Sequence, residues 1–466
     1  MNLEDQLVQI LSDLSLAATE TSLIVGSLAL LVTGLITKHS VWIKGVFIAS
    51  LILSFYFAWD SSFHGYFLSR SLTSNHLSVS FSKLLIISTG AAILFNRERH
   101  VMEFYFLILA LLIGCLFMIK ANSFLLVYLS IELVSYVSYT LTAFRFKGES
   151  NESAIKYLLF GAMSSSILLI GLGLVYGTTE VFYLSDLGSF ALNSPASQIG
   201  FVCLLLGVFF KVAIFPFHIW VPGVYQSAPI DAVTIFSVVP KLAGLLLLGN
   251  IFGSMDIVDS HWIMNLVFLL GLASILVGTF GALGQKNVRR MVAFGSIAHS
   301  GFLLAFVIGP IAEDLLMYYA VIYALMNVGC FYIISHFESH SIFTTSQYTQ
   351  FSNQSVLLVT FSLILISLIG IPPMAGFTAK FFLFTYLWEW FQDSGSQWIL
   401  TYLIISVFAT VVALFYYLRI PYFYFVKDRS EKSELKLLEI SVLAKILATL
   451  FGLSLLLLFF VPKLVV

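Results

Sequence analysis

Three lysines stand inside apolar runs of this chain: Lys211 in GVFFKVAIFPFHIW, Lys241 in IFSVVPKLAGLLLL and Lys380 in GIPPMAGFTAKFFLF. Each has a proline within about two helical turns, and Glu132 in VYLSIELVSYVSYTL supplies one carboxylate of the same depth. A cation near a bilayer centre costs roughly 2.5–3.5 kcal/mol on insertion scales, so such residues mark ion or proton paths. A lysine in water, with a pKa of ~10.4, holds its proton; taking an amine out of water disfavours the charged form and makes exchange possible. A carboxylate nearby opposes that. At an effective dielectric of ~20 a Glu–Lys pair gains roughly 4 kcal/mol at 4 Å and half of it at 8 Å, so separation alone could switch proton affinity. Glu132 with Lys211 could form such a switch, with Lys241 as the next acceptor. His218, just after the seventh apolar segment's first proline, and His299 in AFGSIAHSGF could relay protons, since imidazole titrates near pH ~6.5. A structural reading stands beside this one. Buried ion pairs can fasten helices, and core histidines can bond a neighbouring helix. Three lysines against one deep carboxylate leave cations in excess, which favours the relay.

The elements that must carry these residues are membrane spans. The chain has 466 residues, 59% of them hydrophobic and only 10% charged, with a mean hydropathy of +0.99. A soluble core cannot absorb that much apolar surface, so the bilayer is the solvent. A net charge of −1 argues against nucleic acid as a partner. Cys115, Cys203 and Cys330 lie in apolar segments without CxxC spacing, which speaks against iron–sulfur, zinc or disulfide roles. The acidic start MNLEDQLVQILSDL lacks the basic region of a signal peptide. Windows of ~20 apolar residues predict an all-α polytopic protein of about 14 spans. They fall near 18–36, 41–59, 77–95, 101–119, 122–143, 153–176, 198–224, 228–250, 261–283, 288–308, 314–337, 355–391, 398–426 and 438–461. The seventh holds Pro216 and Pro222, and the twelfth holds Pro372, Pro373 and Gly376. Helices broken at corresponding places in two halves point to a transport site. The division expected is an N-terminal three-helix segment 1–100, helical halves 101–250 and 251–426, and a loop with a last helix, 427–466.

Loop charges set an orientation. Loops after odd-numbered spans carry Lys38, Arg97, Arg99, Arg145, Lys147, Lys286, Arg289, Arg290, Lys427, Arg429, Lys432 and Lys436, whereas the other side carries only Arg70, Lys120 and Lys463. The positive-inside rule then puts both termini outside the cytoplasm, on the periplasmic side of a bacterial inner membrane. Lys44, Lys83, Arg419 and Lys445 lie near span ends, where their stems can snorkel to headgroups. Lys156, one turn into the sixth span, is poised between snorkelling and a relay role. Gly161 and Ser165, four apart in that span, read as close helix packing. The polar stretches 177–197 and 338–354 read as surface loops. No phosphate loop, nucleotide fingerprint or flavin motif stands out.

At these residues the chain resembles the antiporter-like subunits of respiratory complex I, and among them subunit N of NADH–quinone oxidoreductase (subunit 2 in mitochondria). The resemblance rests on YLSIELVSY around Glu132, ESAIKYLLFGAMSSSILLIGLGLVYG with Lys156, and KVAIFPFHIWVPGVYQSAP with Lys211 and His218. It continues through FSVVPKLAG with Lys241, NVRRMVAFGSIAHSGF with His299, YALMNVGCF and GIPPMAGFTAKFFLF with Lys380, covering most of 101–426. It implies two antiporter-like half-bundles with broken helices 7 and 12, and a proton-translocating subunit acting through Glu132, Lys156, Lys211, His218, Lys241, His299 and Lys380. The chain would then be part of a translocase without redox chemistry of its own. NADH, FMN, iron–sulfur clusters and quinone would belong to other chains, and the partners would be other membrane-arm subunits, sister antiporter-like ones among them. One departure stands out: the family's APTPVTA reads APIDAVT here, with Asp231 where proline is common. A cation/proton antiporter subunit, a membrane subunit of a related hydrogenase complex and a passive scaffold are the alternatives.

Overall fold

The computed structural model describes residues 13–464 except 38, 62–63, 95–100, 189–193, 255–260, 311, 340–341, 351–354 and 427–439. Among the described residues the chain is a succession of helices. They are α1 (Ala18–Ile36), α2 (Ser40–Asp60), α3 (His76–Leu94), α4 (Met102–Lys120), α5 (Phe124–Ala143), α6 (Gly148–Thr179), α7 (Pro195–Val212), α8 (Trp220–Ser227) and α9 (Ile230–Gly253). There follow α10 (His261–Leu283), α11 (Val288–Ile308), α12 (Glu313–Glu338), α13 (Ser355–Ile369), α14 (Ala375–Ser394), α15 (Gln397–Tyr417), α16 (Arg419–Phe425) and α17 (Val442–Phe460). Among the described residues thirteen segments are long and apolar enough to cross a membrane, one of them α15 and α16 taken together. The expected twelfth span is divided between α13, too short by itself, and α14. The sequence reading missed one small element, an antiparallel hairpin of β1 (Gly65–Phe67) and β2 (Leu72–Ser74), with Tyr66 opposite Thr73.

The breaks sit where the backbone loses donors. After α7 the chain turns through 213–219, with a cis bond at Phe215–Pro216, before α8 begins. Pro222 does not break anything. It occupies the third residue of α8, where an N–H has no intrahelical partner to lose. After α13 the turn through 370–374 contains a cis Pro372–Pro373 bond, and Gly370 has φ +88°, a left-handed backbone that suits glycine. Pro240, by contrast, is carried inside the continuous helix α9.

Two compact units divide the chain. The first comprises Met1–Ala91, Arg97–Val212 and Val239–His261, and the second Ala92–Asn96, Ala213–Val238 and Trp262–Val466. In the first, α6 and α7 meet through small residues. A side chain at Gly171 would strike the backbone of Gly200 and Leu204, and one at Gly207 would strike Leu168, while Ser164 donates to the Gly207 carbonyl at 3.2 Å. With lipid as solvent there is little hydrophobic drive between helices, so this close approach supplies the van der Waals attraction. Gly161, singled out in the sequence, packs on Tyr139 of α5 instead. In the second unit, buried tyrosines tie helices to carbonyls. Tyr318 donates to Leu458 at 2.9 Å, Tyr402 to Gly301 at 2.6 Å and Tyr386 to Pro310 at 3.0 Å.

Several loop charges turn out to be built into the fold. Lys120 ends α4 and pairs with Glu20 of α1 at 2.6 Å, both buried. Arg289 lies in the first turn of α11, buried and ion-paired with Glu338. Arg419, expected to snorkel, instead donates to the carbonyls of Leu283 at 2.7 Å and Gln285 at 2.9 Å, capping the C-terminal end of α10. Lys38, Arg97, Arg99, Lys427, Arg429, Lys432 and Lys436 lie outside the described residues. So do parts of the expected loops 177–197 and 338–354. The described part of the first is anchored by Leu184 N–H to Asn122 O at 2.6 Å and by an Arg70–Asp186 ion pair at 2.6 Å.

Candidate functional site

In the first unit, α5, α7 and α9 bring three of the expected residues into one neighbourhood. Lys211, in the last turn of α7, is 1% exposed. Its ammonium lies over the rings of Phe210, Tyr139 and Tyr157, at 5.6, 5.7 and 5.8 Å from their centres. No hydrogen-bond acceptor reaches its Nζ, and Glu132 Oε1, buried on α5, likewise has no hydrogen-bond partner. Glu132 and Lys211 are therefore not ion-paired in this structure. Tyr139, whose ring faces the ammonium, lies seven residues after Glu132 and so on the same face of α5. Lys241, on α9 just after Pro240, is 3% exposed. One turn further along, Gly244 abuts Val212 and Lys211: a Cβ there would sit 3.0 Å from Val212 Cγ2 and 3.4 Å from Lys211 Cβ. Close backbone approach thus sets α9 beside the end of α7 at the depth of the lysines. Lys156 is different. It stands on the exposed side of α6, 63% exposed and ion-paired with Glu152 one turn earlier, away from the buried residues.

In the second unit, Lys380 of α14 is 3% exposed and donates to Ile369 O at 2.8 Å and Leu368 O at 3.3 Å. These are carbonyls at the end of α13, left over where the chain breaks, and the negative end of the helix favours a cation. A Cβ on Gly370 would lie 2.7 Å from Lys380 Cδ, so glycine keeps this approach open. The Phe302 ring lies 5.0 Å from the ammonium. His299, buried on α11, meets the Tyr319 hydroxyl with Nδ1 at 3.0 Å. Tyr323, whose ring is 5.5 Å from the imidazole, donates to Ser237 O at 2.9 Å. His218 is half-buried in the 213–219 strap, stacked on Phe215 at 5.6 Å, and Phe215 N–H donates to Ser274 Oγ at 2.8 Å. Asp231, the departure noted in the sequence, is buried in the first turn of α9.

Sequence reasoning missed the aromatic surround of Lys211, the Tyr319 partner of His299 and both buried ion pairs. Glu20 and Lys120 stand 100 positions apart, and Arg289 and Glu338 stand 49 apart, at opposite ends of different spans. A linear pattern has no signal for such pairs. The described residues hold no cluster of three or more His, Cys, Asp or Glu side chains able to bind a metal ion.

Residues 121–413 match the family described as NADH:quinone oxidoreductase/Mrp antiporter, TM. NADH-quinone oxidoreductase subunit N of Wolbachia sp. subsp. Brugia malayi is 33% identical over 415 residues, covering 86% of this chain and 87% of that protein. The chloroplastic NAD(P)H-quinone oxidoreductase subunit 2 of Mesostigma viride is 32% identical over 405 residues, 82% of this chain and 78% of its own. Among solved structures, a chain of respiratory complex I from Thermus thermophilus superposes with a TM-score of 0.81 at 25% identity, covering 96% of this chain and 98% of that one. A chain of the Mrp complex from Dietzia sp. superposes with a TM-score of 0.79 at 18% identity, covering 96% of this chain and 95% of that one, a likeness of fold alone.

Proposed function

Since the chain belongs to the NADH:quinone oxidoreductase/Mrp antiporter family of membrane subunits, we propose that it is the subunit N of a proton-translocating NADH:quinone oxidoreductase. Electron transfer from NADH through FMN and iron–sulfur clusters to quinone takes place on other chains of that complex. This chain moves protons through Glu132, Lys211 and Lys241 in one unit and through His218, His299 and Lys380 in the other. The observation that carries the reading is the set of three fully buried lysines, and above all Lys211, whose ammonium meets aromatic faces in place of a carboxylate. A buried cation with a purely structural task is stabilised by a matched anion, because leaving a charge uncompensated costs several kcal/mol. A group that must take and release a proton needs that charge to be supported weakly, as π faces do at about 0.5–2 kcal/mol. Lys380 has a structural reading of its own, since its two carbonyl contacts are those of a helix cap.

Affinity purification of the tagged chain in mild detergent should bring down flavin- and iron–sulfur-containing chains together with sister membrane subunits. Proteoliposomes of that assembly should acidify on one side when NADH and quinone are supplied. Recovery with cation-exchanging membrane chains only, and sodium-for-proton exchange without quinone reduction, would instead make it an antiporter subunit.

The orientation follows from the loop charges: Lys147, exposed in the loop before α6, faces the cytoplasm, and Lys463, exposed beyond α17, faces the periplasm of a bacterial inner membrane. An impermeant thiol reagent added to intact cells should label Lys463→Cys and spare Lys147→Cys. The opposite pattern would invert the topology.

A further inference from the structure

The ion pair of Arg289 and Glu338 does more than join two helices. Arg289 projects from the first turn of α11, and Glu338 is the last residue of α12. The carboxylate takes two hydrogen bonds, from Nε and Nη2 of the guanidinium. The remaining edge of the guanidinium turns to α8: Nη1 donates to Ala228 O at 2.8 Å and approaches Tyr225 O at 3.5 Å. Both side chains are about nine-tenths buried or more, at 7% and 10% exposed. Buried pairs of this kind often contribute no more stability than apolar residues of the same volume, which directs attention to what they position.

What this pair positions is a helix of eight residues. A segment so short has almost no helical stability of its own and depends on tertiary contacts. Its C-terminal carbonyls have no intrahelical donors, and Arg289 supplies one. The other end of the same segment runs directly into the strap, where Val221 N–H bonds His218 O at 3.0 Å. The strap is itself tied at Phe215 to Ser274. The stretch from 215 to 228 is thus held at Phe215 and at its C-terminal end, where Arg290 Nη1 also donates to Gln226 Oε1 at 3.3 Å, and His218 lies between these ties. From this arrangement we infer that Arg289 and Glu338 are positioning residues. They form a latch that fixes α8 and, through it, sets the imidazole of His218 for proton transfer. The inference rests on the relay role given to His218 above, and its test separates the two.

The experiment uses the intact purified complex, with its assembly checked on native gels. Arg289→Lys keeps a positive charge beside Glu338, but an ammonium cannot hold both carboxylate oxygens and the Ala228 carbonyl together. Amide hydrogen exchange over 213–229 should then speed up about fivefold, while the rest of the second unit is unchanged. Unchanged exchange in this segment would overturn the latch. The exchanged pair Arg289→Glu with Glu338→Arg restores opposite charges without restoring the α8 cap. It should not recover slow exchange, and full recovery would mean that the pair only joins α11 to α12. The effect on pumping is read in a double-mutant cycle with His218→Ala. If the latch acts through His218, Arg289→Lys lowers pumping several-fold in the parent and adds almost nothing in the His218→Ala background. Additive losses would overturn the positioning role. Normal pumping by His218→Ala alone would remove the relay role of that histidine, with the exchange data still deciding whether the latch exists.

Discussion

Replacing Lys241 by methionine should leave the complex assembled and lower proton translocation about tenfold or more. Methionine matches the lysine stem in length, fills the same space on α9 and removes a charge from a site that is 3% exposed. Removing a buried charge in favour of an apolar residue is often neutral or stabilising, so loss of fold is not the expected outcome. What disappears is a group able to accept and release a proton. Lys241→Arg should fail nearly as badly, because a guanidinium keeps its proton at any accessible pH. Coupled quinone reduction should fall along with pumping in both variants. The measurement is acidification by proteoliposomes, normalised to assembled complex and compared with NADH:quinone turnover. An arginine variant that pumps at the parent rate would show that fixed positive charge is sufficient at this position and end the relay role of Lys241.

The second large effect concerns Glu132 and Lys211. The structure leaves them unpaired with each other, with the ammonium against Phe210, Tyr139 and Tyr157 and the carboxylate Oε1 without a hydrogen-bond partner. If approach and separation of this pair drive proton uptake and release, Glu132→Gln removes the driving partner and Lys211→Met removes the carrier. Each single change should cut pumping about tenfold, in line with loss of a group that transfers protons. The double variant should do little worse than the more severe single one, since a carrier without its driver and a driver without its carrier fail at the same step. The readout is initial pumping rate at equal amounts of assembled complex. Losses that multiply independently would separate the two residues, and the switch would have to be abandoned.

Much of this protein was legible from the residues in order. The spans, the breaks at Pro216 and at Pro372–Pro373, and the deep lysines all follow from local terms. These are the apolar length needed to cross a bilayer, the missing N–H of proline and the desolvation of an ammonium. Each term depends on a stretch of chain and its solvent, which is why helices stand at the expected segments. Direction within the bundle was another matter. A span that is apolar all round has no polar face to say which side turns inward, so the sequence left Lys156 between snorkelling and a relay role but placed Lys211 deep. The fold turns one outward onto Glu152 and the other into a nest of aromatic rings. Partners chosen across large separations were equally hidden. Lys120 finding Glu20, Arg419 capping α10, and Arg289 reaching both Glu338 and the end of α8 depend on where packed helices end relative to one another. Close approach through small residues, such as Gly34 of α1 on Met102 of α4 and Gly278 of α10 on the backbone of α11 at Ala298, contributes to those relative positions. Helix packing is a property of pairs of surfaces, and a single strand of sequence holds no direct record of which surfaces meet.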